Sequence, residues 1–306
     1  MCKNFIGFMV FIAALLVVSS AYAQSPYISR VWEYCPAPGQ FVNSMPEYED
    51  GDDADDMRIK ADEAIVENNR GMISLGGWGG YVTFGFDHMV VNRPNANDLL
   101  VLGNAFVGSS EPGIVMVSYD ANGNGKPDDQ WYELAGSEYT NPQTIHDYSV
   151  TYRRLEVGDQ YPKWVDEGSM TFTGSRLPDN YEDQSGEGTY YVLYAYSYGY
   201  VDNHPNTDPK AQLDIDWAVD AAGNPVSLPG IHFVKVYTAL HQQCGWLGET
   251  STEIMGAEDL GMTTVGMEET VTGYGLPVTG KRLVNGQLYI IRNKQTYSLT
   301  GTIIQQ

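Results

Sequence analysis

The sequence predicts an all-β protein, a jelly-roll-like β-sandwich, with a short helix near residues 53–69 and a small β-hairpin appended at the C-terminus. Two observations carry this prediction. Short apolar stretches recur along the chain (GGYVTFGFDHMVVN, NDLLVLGNAF, PGIVMVSYD, HDYSVTYRR, GSMTFTG, GTYYVLYAYSYGYVDN, AQLDIDWAVD and GIHFVKVYTAL), each closed by Gly, Asn, Asp or Pro, which is the spacing of strands and turns. The 306 residues, 42% of them hydrophobic, suffice for one large core with a small appendage.

Taken in order, MCKNFIGFMVFIAALLVVSSAYAQ has an early lysine, an apolar stretch from Phe5 to Val18 and a small-x-small AYA before Gln24. That is the pattern of a signal peptide over residues 1–23. The expected product is exported, to the cell surface, the extracellular space or the periplasm, and no later run is long enough for a transmembrane helix. Residues 24–262 are expected to form the β-sandwich domain. Within it, the acidic EYEDGDDADD at 47–56 leads into MRIKADEAIVENN, placing aspartates at the favourable N-terminal end of the helix.

LDIDWAVD alternates, with Leu213, Ile215, Trp217 and Val219 on one face and Asp214, Asp216 and Asp220 on the other, which predicts a half-buried strand ending in the AAGNP turn. In TYYVLYAYSYGY the period of two puts Tyr190, Val192, Tyr194, Tyr196, Tyr198 and Tyr200 on one face. Tyr190 and Tyr194 are expected between the sheets. Tyr198 and Tyr200, nearest the polar loop VDNHPNTDP, are expected to lie exposed as a stacking platform. Residues 263–280 are Gly- and Thr-rich without periodicity and read as a linker. Residues 281–306 read as a two- or three-strand tail turning at Asn285-Gly286 and Asn293-Lys294.

The net charge of −22, from 17 basic and 39 acidic residues, disfavours nucleic acid as a partner. Of three cysteines, Cys2 lies in the leader. Cys35 and Cys244 remain, and export predicts a disulfide between them, two separate buried thiols being the alternative.

DANGNGKPDDQWYE, residues 120–133, matches the first half of an EF-hand-type calcium loop. Asp120, Asn122 and Asn124 stand at positions 1, 3 and 5, Gly125 at the tight turn, the Lys126 carbonyl next, and Asp128 after it. Position 12 is Trp131, so Asp129 or Glu133 would have to close the shell. With no position left for a reacting water, calcium here is expected to be structural; a metal-free Asn-Gly turn is the alternative.

Signatures of catalysis are missing: there is no G-x-S-x-G, H-E-x-x-H or P-loop, and GGWGG at 76–80 lacks a strand-to-helix context. His88, His146, His204, His232 and His241 are scattered. Glu249 and Glu253 with Asp202 offer a carboxylate pair for glycoside cleavage.

VWEYCPAPGQFVN, GGYVTFGFDHMVVN, LLVLGNAFVGSSEPGIVMVSYDANGNGKPDDQWYELAGSEY, GYVDNHPN and FVKVYTALHQQCGWLGETSTEI together resemble a family of exported "cell surface proteins" of Bacteroidetes, over most of residues 31–262. The resemblance implies a β-sandwich, and for some members an association with TonB-dependent outer-membrane uptake, corrinoid uptake included. The tail NGQLYIIRNKQTYSLTGTII is similar to the C-terminal sorting sequences of type IX export, without their full set of motifs.

The expected function is therefore a calcium-stabilised binding protein that captures a glycan or another bulky nutrient ligand, such as a corrinoid, beside an outer-membrane uptake receptor. Trp78, Trp131, Trp164, Tyr198, Tyr200 and Trp246 are the expected aromatic contacts, with Asp202, Asn203 and Glu249 orienting the ligand. A carboxylate-dependent glycan hydrolase and a structural adhesion module are the alternatives.

Overall fold

The computed structural model describes residues 24–67 and 71–264, and as backbone the strands between 279 and 305. The leader at 1–23 and most of the expected linker, 265–278, lie outside the described residues. The chain is all-β and sandwich-like, and it divides into two compact units after residue 266.

The main sheet of the first unit has six antiparallel strands: β1 (Arg30–Cys35), β2 (Tyr81–Val91), β3 (Gly113–Ser118), β4 (Trp131–Leu134), β5 (Ala218–Val219) and β6 (Gly230–Thr238), in the order β1-β2-β6-β3-β4-β5. Its pleat sorts residues cleanly. Val234 and Val236 of β6 pair with Phe84 and Val82 on one side and Val117 and Val115 on the other. These six, with Val31, Tyr34 and Leu134, are buried in one core. Alternate positions face the other way: Lys235 pairs with Thr83 and Met116, Met116 with Glu133, and Tyr237 with Tyr81 and Ile114.

The second layer is a set of short elements, not a full sheet. A three-stranded antiparallel sheet (Gln212–Leu213, Leu99–Leu102, Gly256–Asp259) and α1 (Ala54–Ile65) supply Leu99, Val101, Leu213, Ala257, Met57, Ala61 and Ile65 to the same core. The helix starts where the aspartates predict. Asp53 is its N-cap, accepting hydrogen bonds from the Asp55 and Asp56 amides, while the Asp56 carboxylate accepts from the Asp53 N–H. This reciprocal pair satisfies donors that a helix start leaves open.

The antiparallel hairpin Ile145–Arg153/Ser169–Arg176 covers part of the main sheet's other face, where Phe172 packs with Trp78, Tyr81, Tyr148 and Tyr152. In the second unit the strands Thr279–Val284, Gln287–Arg292, Gln295–Tyr297 and Ile303–Gln305 form a four-stranded antiparallel sheet, where a hairpin or a two- or three-strand tail was expected.

Two expected strands are broken. Residues 212–219 run as a two-residue strand, a 3-10 turn at Ile215–Trp217 and the short β5. Asp214 causes the break by accepting from the Asp216 amide and capping the turn. The tyrosine run keeps only Tyr191–Leu193 as strand. Beyond it, Gly199 takes φ +91° and passes so near Gly136 that a Cβ there would lie 2.4 Å from the Gly136 Cα. The turn reverses part of the expected exposure: Tyr190 (59%) and Tyr194 (48%) are exposed, Tyr198 is exposed as expected, and Tyr200 (1%) is core. The Tyr200 ring joins Ile114, Leu177, Tyr237 and Leu240, and its hydroxyl accepts from the Glu138 amide at 2.9 Å.

Tyr200→Ala is accordingly expected to lower unfolding free energy by about 3–5 kcal/mol, as for other buried large aromatics, and Tyr198→Ala by less than about 1 kcal/mol. Denaturant titration of both variants checks this; equal costs would place the two rings in the same environment.

Candidate functional site

Where the hairpin stops short, the outer face of the main sheet is left as a pocket of about 890 Å³. Its floor comes from alternate strand positions: Tyr81 on β2, Met116 on β3, Trp131 and Glu133 on β4, Lys235 and Tyr237 on β6. Its walls are the hairpin residues His146, Asp147 and Thr171–Ser175, the loop residues Tyr139 and Thr140, and the turn Asp220–Gly223. Gln130, Thr140, His146, Asp147, Thr171 and Thr173 are exposed, so the mouth faces solvent.

Lys235 is the one lysine or arginine among the lining residues. Its Nζ stands 4.5 Å from the Tyr81 ring centre, 5.2 Å from that of Trp131 and 3.7 Å from Glu33 Oε2. Two aromatic faces and a carboxylate thus hold an ammonium group whose remaining donors are available to a ligand.

Among the described residues no lysine or arginine forms an ion pair with Glu133, and burial pushes its carboxyl up to about 7, against a hydrogen bond from Ser175 that pulls it down. Ser175 Oγ lies 3.0 Å from Glu133 Oε2 and 3.1 Å from His146 Nδ1, and His146 Nε2 lies 3.2 Å from the Tyr139 carbonyl oxygen. A carbonyl only accepts, so Nε2 carries a hydrogen. Ser175 thus bridges the buried Glu133 carboxyl on the floor to the His146 ring at the rim.

Of the expected aromatic and polar contacts, Trp131 lines this pocket and the others do not. Trp78 is 1% exposed and packs edge-on to Tyr148 at 4.9 Å. Trp164 is buried between Tyr34 and Tyr48, with ring centres 6.1 and 6.3 Å away. Tyr200 is core, and Tyr198 tilts against Trp217 at 5.0 Å. The Asn203 side chain clamps the Tyr196 backbone, accepting from its N–H at 2.8 Å and donating to its carbonyl at 2.9 Å. Glu249 accepts from the Gln40 amide and borders a separate cavity of about 90 Å³. Asp202 and Glu253 come together with Glu111, without Glu249. For Trp246 only the backbone, in the 3-10 turn Gly245–Leu247, is described.

Cys35 and Cys244 are free thiols, not a disulfide. Cys35 contacts the Tyr81 hydroxyl, whereas Cys244 lies near Gln242 and Thr250; the fold takes them to different neighbourhoods.

The 120–130 loop closes on its own side chains. Asp120 accepts from the Asn124 and Gly125 amides at 3.1 and 2.9 Å, Asn124 Oδ1 from the Lys126 amide at 2.8 Å, and Asp129 from the Ala121 amide at 3.1 Å. The Asn124 and Asn122 amides converge on Asp128 and hold its carboxyl below the usual range. Glu133, expected as a closing ligand here, instead faces the pocket from β4.

Lys235, Tyr139, His146 and Ser175 were not legible as site residues, since distant chain pairing assembles them. One signal was present: FVKVY alternates a lysine with two valines, so the lysine must face away from the core. No family model and no curated protein matches the chain.

A raised carboxyl binds its proton more tightly folded than unfolded, so stability is lost as pH climbs from the unfolded value of about 4.5 through 7. Glu133→Gln is expected to match wild type near pH 4.5 and to gain on it by pH 8, by at most about 3 kcal/mol. Guanidinium unfolding at both pH values checks the sign, and a pH-independent difference would contradict it.

Proposed function

We propose that the protein is an exported, surface-associated binding protein that holds a glycan, or another bulky polyhydroxylated or amide-rich nutrient ligand such as a corrinoid, in the pocket over β2, β6, β3 and β4. The observation that carries this reading is the pocket itself: Trp131, Tyr81 and Tyr139 beside one cation, Lys235, and a largely buried carboxyl, Glu133. Aromatic faces stack on apolar ligand faces, and Lys235, Glu133 and the rim hydroxyls meet ligand oxygens. The volume of about 890 Å³ falls within the range of small-molecule sites. The likeness of residues 31–262 to exported proteins near outer-membrane uptake systems supports the assignment to nutrient capture, with an uptake receptor as partner.

Glu133 also favours a second reading, glycan hydrolysis, because a carboxyl held protonated close to neutrality is what a general acid requires, and Asp147 and Asp220 also line the pocket.

Screening the purified chain against a glycan array and by cyanocobalamin titration tests the first reading. For whichever probe binds, Trp131→Ala and Lys235→Ala are each expected to weaken affinity about tenfold or more, 1.4 kcal/mol being a factor of ten, while far-UV circular dichroism stays unchanged. Wild-type affinity in both variants would remove the pocket from the function. Release of reducing ends by wild type, abolished in Glu133→Gln, would establish hydrolysis instead.

The same proposal includes structural calcium in the Asp120 loop, with Asp120, Asn122, Asn124, the Lys126 carbonyl, Asp128 and Asp129 as ligands. It is supported by the spacing of oxygen-bearing residues along the loop sequence, which suits a hard cation. Adding calcium to chelator-treated protein is expected to raise Tm, and Asp120→Ala to lose part of that rise; an undiminished rise in the variant would exclude the loop.

A further inference from the structure

Away from the pocket, three carboxylates from distant parts of the chain meet. Glu111 precedes β3, Asp202 follows the bridge between Val201 and Gly113, and Glu253 sits in the two-residue strand Glu253–Ile254. Each offers an oxygen within 4.8 Å of the other two. Asp202 and Glu253 are each 3% exposed, while Glu111 is half-buried.

The surrounding backbone fixes these groups. Asp202 adopts φ +54°, and its Oδ1 accepts from the Asn104 and Ala105 amides, both at 2.7 Å. Its Oδ2 accepts from the Glu253 amide at 3.0 Å. Glu111 Oε1 accepts from the Ser251 amide at 3.3 Å, and Glu253 Oε2 from the Asn104 side chain at 3.3 Å. Glu253 Oε1 is buried and makes no hydrogen bond of good geometry, although the Ser74 and Ser251 hydroxyls lie close enough to the carboxyl to favour its anion. Among the described residues no lysine, arginine or histidine pairs with any of the three.

We propose that Glu111, Asp202 and Glu253 form a buried calcium site, distinct from the Asp120 loop and independent of the pocket's function. A buried carboxylate without a positive partner is strongly disfavoured, and three together add their mutual repulsion. A divalent cation offsets both and gives the buried Glu253 oxygen a direct partner. The donor set favours calcium: three carboxylates from separate chain segments offer only oxygen, and calcium accepts such irregular oxygen shells, whereas magnesium requires near-ideal octahedral geometry. The competing solution is protons, and burial does push Glu111 up to about 8 and Asp202 to about 7. Protons would join the carboxyls pairwise, whereas an ion binds all three chain segments at one point.

The test uses the full chain stripped with EGTA, titrated with CaCl2 by isothermal calorimetry and assayed for bound metal after dialysis. Glu253→Gln and Glu111→Gln are each expected to hold one calcium equivalent fewer than wild type. Asp120→Ala keeps that equivalent, and its Tm still rises by several degrees with calcium. Near-UV circular dichroism confirms folding, and the partly exposed Glu111→Gln decides the matter if Glu253→Gln does not fold. An unchanged stoichiometry in the Gln variants that fold would overturn the site in favour of shared protons, as would wild type that takes up no calcium and melts identically in calcium and EGTA. Loss of an equivalent in Asp120→Ala alone assigns calcium to the loop and equally overturns the inference.

Discussion

The pleat of β6 is the constraint from which the rest of the first unit follows. Lying between β2 and β3 in the middle of the six-stranded sheet, it commits Val234 and Val236 to the core and Lys235 and Tyr237 to the opposite face. A slip of one residue would bury the lysine and expose the valines, so the register is strongly specified. Through β3 the same choice sets β4, which is how Glu133 arrives in line with Lys235 by way of Met116. Core and pocket are two sides of one alternation.

What could be read from the sequence was what is local. The strands over 81–91, 113–118 and 230–238 and the helix after Asp53 announce themselves through period and capping. Alternation alone misled where a polar side chain competed for the backbone: the aspartates of LDIDWAVD look like the solvent face of a strand, yet Asp214 captures an amide and turns the chain. Leu213, Ile215 and Val219 are nonetheless buried as expected. The tyrosine run failed because its fate depends on Gly136, whose missing side chain admits the Tyr200 ring. No local pattern in residues 190–200 contains that information.

The candidate site was legible in part for the same reason. Trp131 drew notice as an aromatic and Glu133 as an acid, but they were assigned to different roles, although a spacing of two on a strand puts them on one face. Lys235, His146 and Ser175 reach them through strand and hairpin pairings that join residues far apart in sequence. The acidity of the chain was visible at once. Its internal distribution was not: most carboxylates are solvated, while Glu133, Asp202 and Glu253 are drawn inside with no basic side chain paired to them among the described residues, and burial disfavours the anion of each.

The sulfur chemistry of Cys35 follows from its place under Tyr81. Burial raises that thiol to about 11, so at pH 7 only about one molecule in ten thousand carries the thiolate that attacks disulfides. Exchange through Cys35 is therefore disfavoured at neutral pH because the nucleophile is scarce, even though the thiol is only partly buried and borders a cavity. Desolvation rather than walling-off is what restrains this thiol: the fold withholds its charge while leaving its sulfur within reach.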